Sequence, residues 1–220
     1  GCESADIEEI LINAQNGNKL PLKEGVVKEY DFLSAYADIL VNKVRNAVNS
    51  DTDFEQPLKD FKIVVDAGNG AGGFYVEKVL EPLGADTTGS LYLDPDGSFP
   101  NHIPNPEDKD AMKSITEAVK ETGADLGIIF DTDVDRAGAV LSDGSELNRN
   151  RIIAMLAAIL LREHPGTTIV TDSITSTGLA KFIADKGGVH HRFKRGYRNV
   201  INESIRLNEE GIDCPLAIET

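Results

Sequence analysis

From Phe61 onward the chain alternates short apolar runs with longer stretches of helical periodicity, and this rhythm restricts the fold more than any other feature. Phe61 to Val65, Leu126 to Phe130, Ala137 to Leu141, Thr167 to Thr171, Val189 to Phe193 and Pro215 to Glu219 read as strands, with a weaker one over Ala85 to Leu91. Phe74 to Leu80, Glu107 to Glu121, Arg149 to Glu163, Ser176 to Lys186 and Val200 to Leu207 read as helices. A strand–helix–strand succession buries its apolar faces best as a largely parallel sheet covered by helices. The expected fold is therefore α/β: two consecutive α/β domains, each a mostly parallel mixed sheet flanked by helices. The boundary is expected near Leu147, giving one domain over 26–146 and another over 147–220. Ahead of them, a helix is expected from about Val27 to Val48, with Leu33, Tyr36, Ala37, Leu40, Val41 and Val44 on one face and Asp51-Thr52-Asp53 ending it. Residues 1–25 are mixed and polar, with a turn at Asn16-Gly17-Asn18.

Composition excludes several classes of partner. The 220 residues carry a formal net charge of −15, which argues against nucleic acid or an anionic membrane. An anionic ligand has to be drawn by a local basic patch instead. Cys2 and Cys214 are far apart and lack metal-type spacing, so they read as thiols of a reducing compartment. The apolar stretch Ile152 to Leu161 is too short to span a bilayer and is bracketed by Arg151 and Arg162. With no signal peptide in view at the start, a cytoplasmic location is expected.

The chemistry concentrates where the Leu126–Phe130 run ends in Asp131-Thr132-Asp133-Val134-Asp135-Arg136. Three carboxylates at spacing two, delivered by one loop, offer hard oxygen ligands suited to Mg²⁺ or Ca²⁺ rather than zinc. Arg136 follows at once, and its planar fork is suited to phosphate. The stretch is a poor EF-hand, because Arg136 stands where the sharp turn needs Gly and Ser142 where the bidentate Glu belongs. It also resembles the first motif of haloacid-dehalogenase-type phosphatases, in which Asp131 would be the nucleophile and Asp133 the acid/base. That reading needs a later lysine and an acidic pair after a strand, and Asp172 is the only nearby acid of that kind. A solvated polar turn is the plainest alternative, but stacking like charges without a cation is costly.

Other segments are less specific. Gly68, Gly70 and Gly73 follow a strand with dinucleotide-fingerprint spacing, yet no later strand ends in an acid placed for a ribose, which favours a packing turn. The loop from Pro95 to Pro106 is dense in Pro, Asn and Gly and holds a fixed shape; His102 is either an acid/base or, the favoured reading for a lone histidine, a hydrogen-bonding residue within the loop. His190 to Arg198 is a basic cluster in an acidic chain, and Lys194, Arg195 and Arg198 around the Gly196 turn are placed to share an anion.

Taken in order, four segments resemble the α-D-phosphohexomutases, the phosphomannomutase/phosphoglucomutase family. They are Lys62 to Gly72, Pro95 to Pro106, Asp131 to Arg136 and Pro215 to Thr220. Thr132 stands where the family pattern Asp-Gly-Asp-x-Asp-Arg has Gly, which leaves the ligands intact. The resemblance implies an intramolecular phosphotransferase that interconverts hexose 1-phosphate and 6-phosphate through a phosphoserine and a bisphosphate intermediate. It implies that Asp131, Asp133 and Asp135 hold Mg²⁺ and that Arg136, the catalytic candidate, contacts phosphate. It further implies that Glu219 accepts hydrogen bonds from sugar hydroxyls, and that Lys194 and Arg198 hold the substrate near Gly196. The family's Ser-His-Asn-Pro sequence does not occur here. The expectation is a piece of such an enzyme, inactive alone: 1–25 as the tail of a first domain, 26–146 as the second, and 147–220 as a third short of its end; the alternatives are the phosphatase above or a non-catalytic module that only binds metal or sugar phosphate. The first and fourth domains would then be its missing partners, with a hexose phosphate as substrate.

Overall fold

The computed structural model describes residues 2, 4–17, 24–147 and 149–220. It divides into two units, Gly1–Leu33 and Ser34–Thr220. The first holds a helix, α1 (Ser4–Gln15), that periodicity did not suggest and that has no buried residue. The main chain closes behind it through the Gly17 N–H on the Ala14 carbonyl, and Asn18 of the expected turn lies outside the described residues.

The helix expected from Val27 begins later, as α2 (Phe32–Val48). Val26 and Val27 are 83% and 96% exposed, and β-branched residues without a surface to pack on do not extend a helix. Within the larger unit, Ala37 and Val41 of α2 pack on Val79 and Leu83.

The first sheet has the order β1 (Ile63–Asp66), β2 (Leu126–Phe130), β3 (Ala137–Leu141). The β1–β2 pair is parallel and the β2–β3 pair antiparallel. Alternation along β1 divides the core. Val64 faces α3 (Lys109–Thr122) with Met112, Ile115 and Val119, while Ile63 and Val65 face Val76, Leu80 and Phe130. The Asp108 carboxylate caps α3 by accepting the N–H groups of Asp110 and Ala111, which is why that helix starts two residues after the expected Glu107.

Two expectations change here. The helix expected over Phe74–Leu80 is present but of another type: a 3₁₀ turn (Ala71–Gly73) leads into α-helical Phe74 and Tyr75 and then a π-helix (Val76–Leu80), closed by the Glu81 N–H on the Val76 carbonyl at 3.0 Å. The weaker strand over Ala85–Leu91 reduces to two single-residue bridges, Lys62 with Asp86 and Asp66 with Leu91. Between them the chain turns at Gly89, and the Ser90 hydroxyl, not a carbonyl, takes the Val65 N–H at 3.0 Å.

The second sheet is wholly parallel, in the order β5 (Val189–Arg192), β4 (Thr168–Thr171), β6 (Leu216–Ile218). Ile169 of β4 packs on α4 (Asn150–Glu163) and α5 (Thr177–Asp185), and Val170 packs on α6 (Tyr197–Glu209) on the other face. The helix α6 starts three residues before the expected Val200, so Arg198 lies in its first turn. Each sheet is thus covered on both faces, and the carboxyl ends of β1, β2, β4 and β6 deliver Asp66, Asp131, Asp172 and Glu219 in turn. Ligands of parallel α/β sheets gather at such ends. No helix among the described residues is long and apolar enough to cross a membrane.

Candidate active site and metal centre

The loop Asp131–Arg136 is the connection of the β2–β3 hairpin, whose last strand pair is Phe130 with Ala137. It folds back on itself. The Asp131 N–H donates to the Arg136 carbonyl at 3.2 Å, and the Arg136 N–H donates to Asp131 Oδ1 at 3.0 Å. Asp131 is 1% exposed, whereas Asp133 and Asp135 are exposed. One carboxylate oxygen from each of Asp131, Asp133 and Asp135 lies within 4.8 Å of the others. Three oxygen donors converging this closely fit a hard divalent cation of the Mg²⁺ type.

Support for the loop comes from the glycine-rich turn that follows β1. The Ala71 N–H donates to the Thr132 carbonyl at 2.9 Å, and a Cβ on Gly70 would stand 2.8 Å from that same oxygen. A Cβ on Gly73 would fall inside the Leu93 carbonyl. These glycines permit close packing, and the turn braces the carboxylate loop. Val134 has φ +66, a left-handed conformation that is strained for a β-branched residue, and its side chain packs on the Phe130 cluster. Thr132, which stands where Gly is usual in the pattern, has no such φ.

The electrostatics of the loop are those of crowded acids with one cation. Burial pushes Asp131 upward, but the backbone N–H and guanidinium of Arg136, together with a hydrogen bond to Asp135, outweigh it and hold Asp131 below the ordinary carboxylate range. Asp135 moves the other way, raised first by the hydrogen bond it shares with Asp131 and then by the charges of Asp131 and Asp133. Arg136 Nε lies 3.0 Å from Asp131 Oδ2 and 3.5 Å from Asp135 Oδ1, and its Nη1 donates to Asn105 Oδ1 at 3.1 Å.

Asp135 and Arg136 open onto a cleft of about 1350 Å³, which Asn105, Arg149, Tyr197 and Glu219 also line. Glu219 sits behind β6, where its Oε1 accepts the Gly196 N–H at 3.0 Å and faces Arg195 Nε at 3.9 Å. Next to it, the Thr220 hydroxyl and N–H both donate to the buried Asp172, at 2.6 and 3.0 Å. The basic cluster is split among several duties. Lys194 Nζ lies over the Phe193 ring at 5.9 Å, Arg195 pairs with Glu219, and neither Lys194 nor Arg198 is among the described residues lining the cleft.

His102 does more than hydrogen-bond within its own loop. Its Nδ1 faces the Ile103 carbonyl at 3.0 Å, but its Nε2 reaches both oxygens of the buried Asp66 at 3.0 Å. Asp66 also accepts the Ser114 hydroxyl at 2.7 Å and the Gly68 N–H at 2.9 Å, so the Pro-rich loop is pinned to β1 and α3 at once. Asp66, Asn105 and Asp172 carry these arrangements; sequence reasoning had given Asp66 and Asn105 no binding or positioning duty and had considered Asp172 only as an acid for the phosphatase reading. Asn105 had a visible signal in lying between Pro104 and Pro106; the other two are single acids at strand ends, distinguishable only by their partners.

The architecture is that of two successive α/β/α domains, each carrying acids at its strand ends. The chain belongs to the phosphoglucomutase/phosphomannomutase family: the family profile described as "alpha/beta/alpha domain II" matches residues 34–144, and that of domain III matches 148–219. It is 34% identical over 187 residues to the phosphomannomutase/phosphoglucomutase of Pseudomonas putida, covering 85% of this chain and 38% of that protein. It is 33% identical over 192 residues to the phosphoglucomutase of Neisseria gonorrhoeae, covering 87% and 39%. Among solved structures, a phosphoglucomutase/phosphomannomutase family protein from Burkholderia thailandensis superimposes with a TM-score of 0.76 at 27% identity, covering 98% of this chain and 44% of that one. The N-acetylphosphoglucosamine mutase of Aspergillus fumigatus, solved in complex with GlcNAc-6P and magnesium, shares the fold at 16% identity and a TM-score of 0.51, covering 78% of this chain and 36% of that one. The chain thus spans about two fifths of the length of these curated relatives.

Proposed function

We propose that this chain supplies the metal-binding and sugar-binding parts of a phosphohexomutase, acting on hexose 1- and 6-phosphates through a phosphoserine and a bisphosphate intermediate. The observation that carries the reading is the convergence of Asp131, Asp133 and Asp135 beside Arg136, at a cleft that Glu219 also lines. In this reading residues 26–146 and 147–220 are the family's second and third domains, 1–25 belong with the first, and the remaining domains complete the site.

Asp131, Asp133 and Asp135 would hold Mg²⁺, and the Aspergillus relative crystallised with magnesium is consistent with that choice. When bound, the ion supplies charge neutralisation for the transferring phosphoryl group. The chain's own residues do the positioning. Arg136, held on Asp131 through Nε, presents the rest of its fork to a phosphate oxygen. Glu219, steadied by the Gly196 N–H, offers its other oxygen to sugar hydroxyls. Lys194 and Arg198, flanking that turn, add positive charge for the substrate phosphate. Thr220 is held on Asp172, which keeps the sugar-facing end of β6 from straying.

A phosphatase using Asp131 as nucleophile is disfavoured by the geometry. Both Asp131 oxygens accept from Arg136, the residue is 1% exposed, and Asp172 is committed to Thr220. Phosphorus NMR of glucose 1-phosphate with this chain, Mg²⁺ and a trace of glucose 1,6-bisphosphate tests the reading. A resonance that shifts or broadens without turnover is expected, since the chain has no Ser-His-Asn-Pro sequence. Release of inorganic phosphate would establish the phosphatase instead, and an unperturbed resonance would remove the substrate assignment.

A further inference from the structure

We propose that Asn105 is a positioning residue: its carboxamide oxygen fixes the Arg136 guanidinium so that Nη2 is presented to an anion in the cleft. The inference rests on the phosphate-binding reading of Arg136 given above.

The side chain of Arg136 is 56% exposed, and a long exposed arginine gives up most of its rotamer freedom when it is held in one geometry. Two separate anchors hold it here. Nε donates to Asp131 Oδ2 at 3.0 Å and Nη1 to Asn105 Oδ1 at 3.1 Å. Anchoring two nitrogens fixes the plane of the fork as well as its position, and Nη2 donates to no described residue. Arg136 and Asn105 both line the cleft.

Asn105 is suited to this because its own place is heavily determined. Its Oδ1 also accepts the Glu107 N–H at 3.0 Å, its N–H donates to the Ile103 carbonyl at 2.8 Å, and its carbonyl accepts the Asp108 N–H at 2.9 Å. Pro104 and Pro106 on either side are buried, and Pro104 packs so tightly on Gly68 that a Cβ there would come within 2.8 Å. Three residues earlier, His102 is tied to Asp66 at the end of β1, and Ser114 of α3 donates to the same carboxylate. The Pro-rich loop therefore acts as a bracket that carries the rigidity of β1 and α3 to the guanidinium. Asn105 touches none of the three carboxylates of the metal loop in the hydrogen bonds described, so its effect on Arg136 is separable from the metal site.

The test uses the ¹⁵N-labelled 220-residue chain, following the Arg136 Nε–H resonance, which Arg136→Lys removes and so identifies. Asn105→Ser retains a hydroxyl able to accept the Glu107 N–H but is too short to reach Arg136, so the loop keeps its turn. The Arg136 resonance is expected to move and broaden in this variant, glucose 1-phosphate affinity to fall several-fold, and Mg²⁺ affinity to stay within about twofold. Asn105→Asp, which keeps the acceptor oxygen, should restore the Arg136 resonance. An unmoved resonance in Asn105→Ser overturns the proposal, as does a moved resonance with unchanged glucose 1-phosphate affinity. An equal loss of Mg²⁺ and sugar-phosphate affinity also overturns it, because that is general distortion of the site. Failure of the unmodified chain to bind glucose 1-phosphate would instead sink the functional reading, while the resonance alone still decides whether Asn105 holds Arg136.

Discussion

Asp131 and Asp172 occupy matching places, each a buried aspartate directly after a central strand of its sheet, yet their surroundings give them opposite characters. Asp172 is saturated by neutral donors: the Ile174 N–H, the Thr220 N–H and the Thr220 hydroxyl. Burial raises its pKa, and these donors together with Arg195 more than reverse that, leaving an ionised group with no unmet demand. Asp131 is surrounded by acids, and Asp135 is driven upward by the neighbours it cannot avoid. One carboxylate closes a loop; the other belongs to a cluster of three acids whose oxygens converge within 4.8 Å, the arrangement proposed above to hold Mg²⁺. What separates them lies in the next few residues: acids at +2 and +4 after Asp131, and Ser173, Ile174 and Thr175 after Asp172. A buried strand-end aspartate is therefore no sign of catalysis until its neighbours have been counted.

The largest expected effect tests the cluster side of this contrast. Asp133→Ala should abolish Mg²⁺ binding, measured by calorimetry, while the circular dichroism spectrum stays unchanged, because Asp133 is exposed and supports no packing. Retained metal affinity would erase the distinction. On the other side, Asp172→Ala should destabilise the chain by about 3 kcal/mol through the stranded donors of Thr220 and Ile174. Its Mg²⁺ affinity should be unaltered; denaturant unfolding alongside a metal titration checks both.

Gly70→Ala should cost about 1–2 kcal/mol, since the new Cβ meets the Thr132 carbonyl at 2.8 Å, and it should weaken Mg²⁺ binding as the loop shifts. Equal metal affinity in this variant would mean that the glycine turn does not brace the site. The smallest effect concerns pH. Asp172 has a folded pKa below its unfolded one, so its contribution to stability is complete above an unfolded value of about 3.9 and disappears as pH falls through the folded value. Unfolding midpoints of the native chain should therefore decline in acid more steeply than those of Asp172→Asn. Parallel curves would show that the Thr220 contacts do not select the ionised form.

Much of the layer structure was legible because burial on both sides of a strand leaves a continuous apolar run, as at Ile63–Val65, Ile128–Phe130 and Ile169–Val170. The strands and helices that failed lacked that reward. Ala85–Leu91 has its ladder interrupted by a turn and a serine hydroxyl, and Val26 and Val27 have no surface to cover. The Phe74–Leu80 helix was legible as a helix, but its π geometry, entered from the 3₁₀ turn at Ala71–Gly73, was not.

At the site, sequence alone determined the chemistry on offer, since three carboxylates at spacing two with an adjacent arginine are fixed by covalent order. Tertiary structure alone decided the assignments that depend on contacts distant in sequence. Asn105 meets Arg136 across 31 positions, Thr220 meets Asp172 across 48, and His102 meets Asp66 across 36. Hydrogen bonds of this kind leave no periodic trace, because each needs only one donor and one acceptor brought together by the packing of other residues.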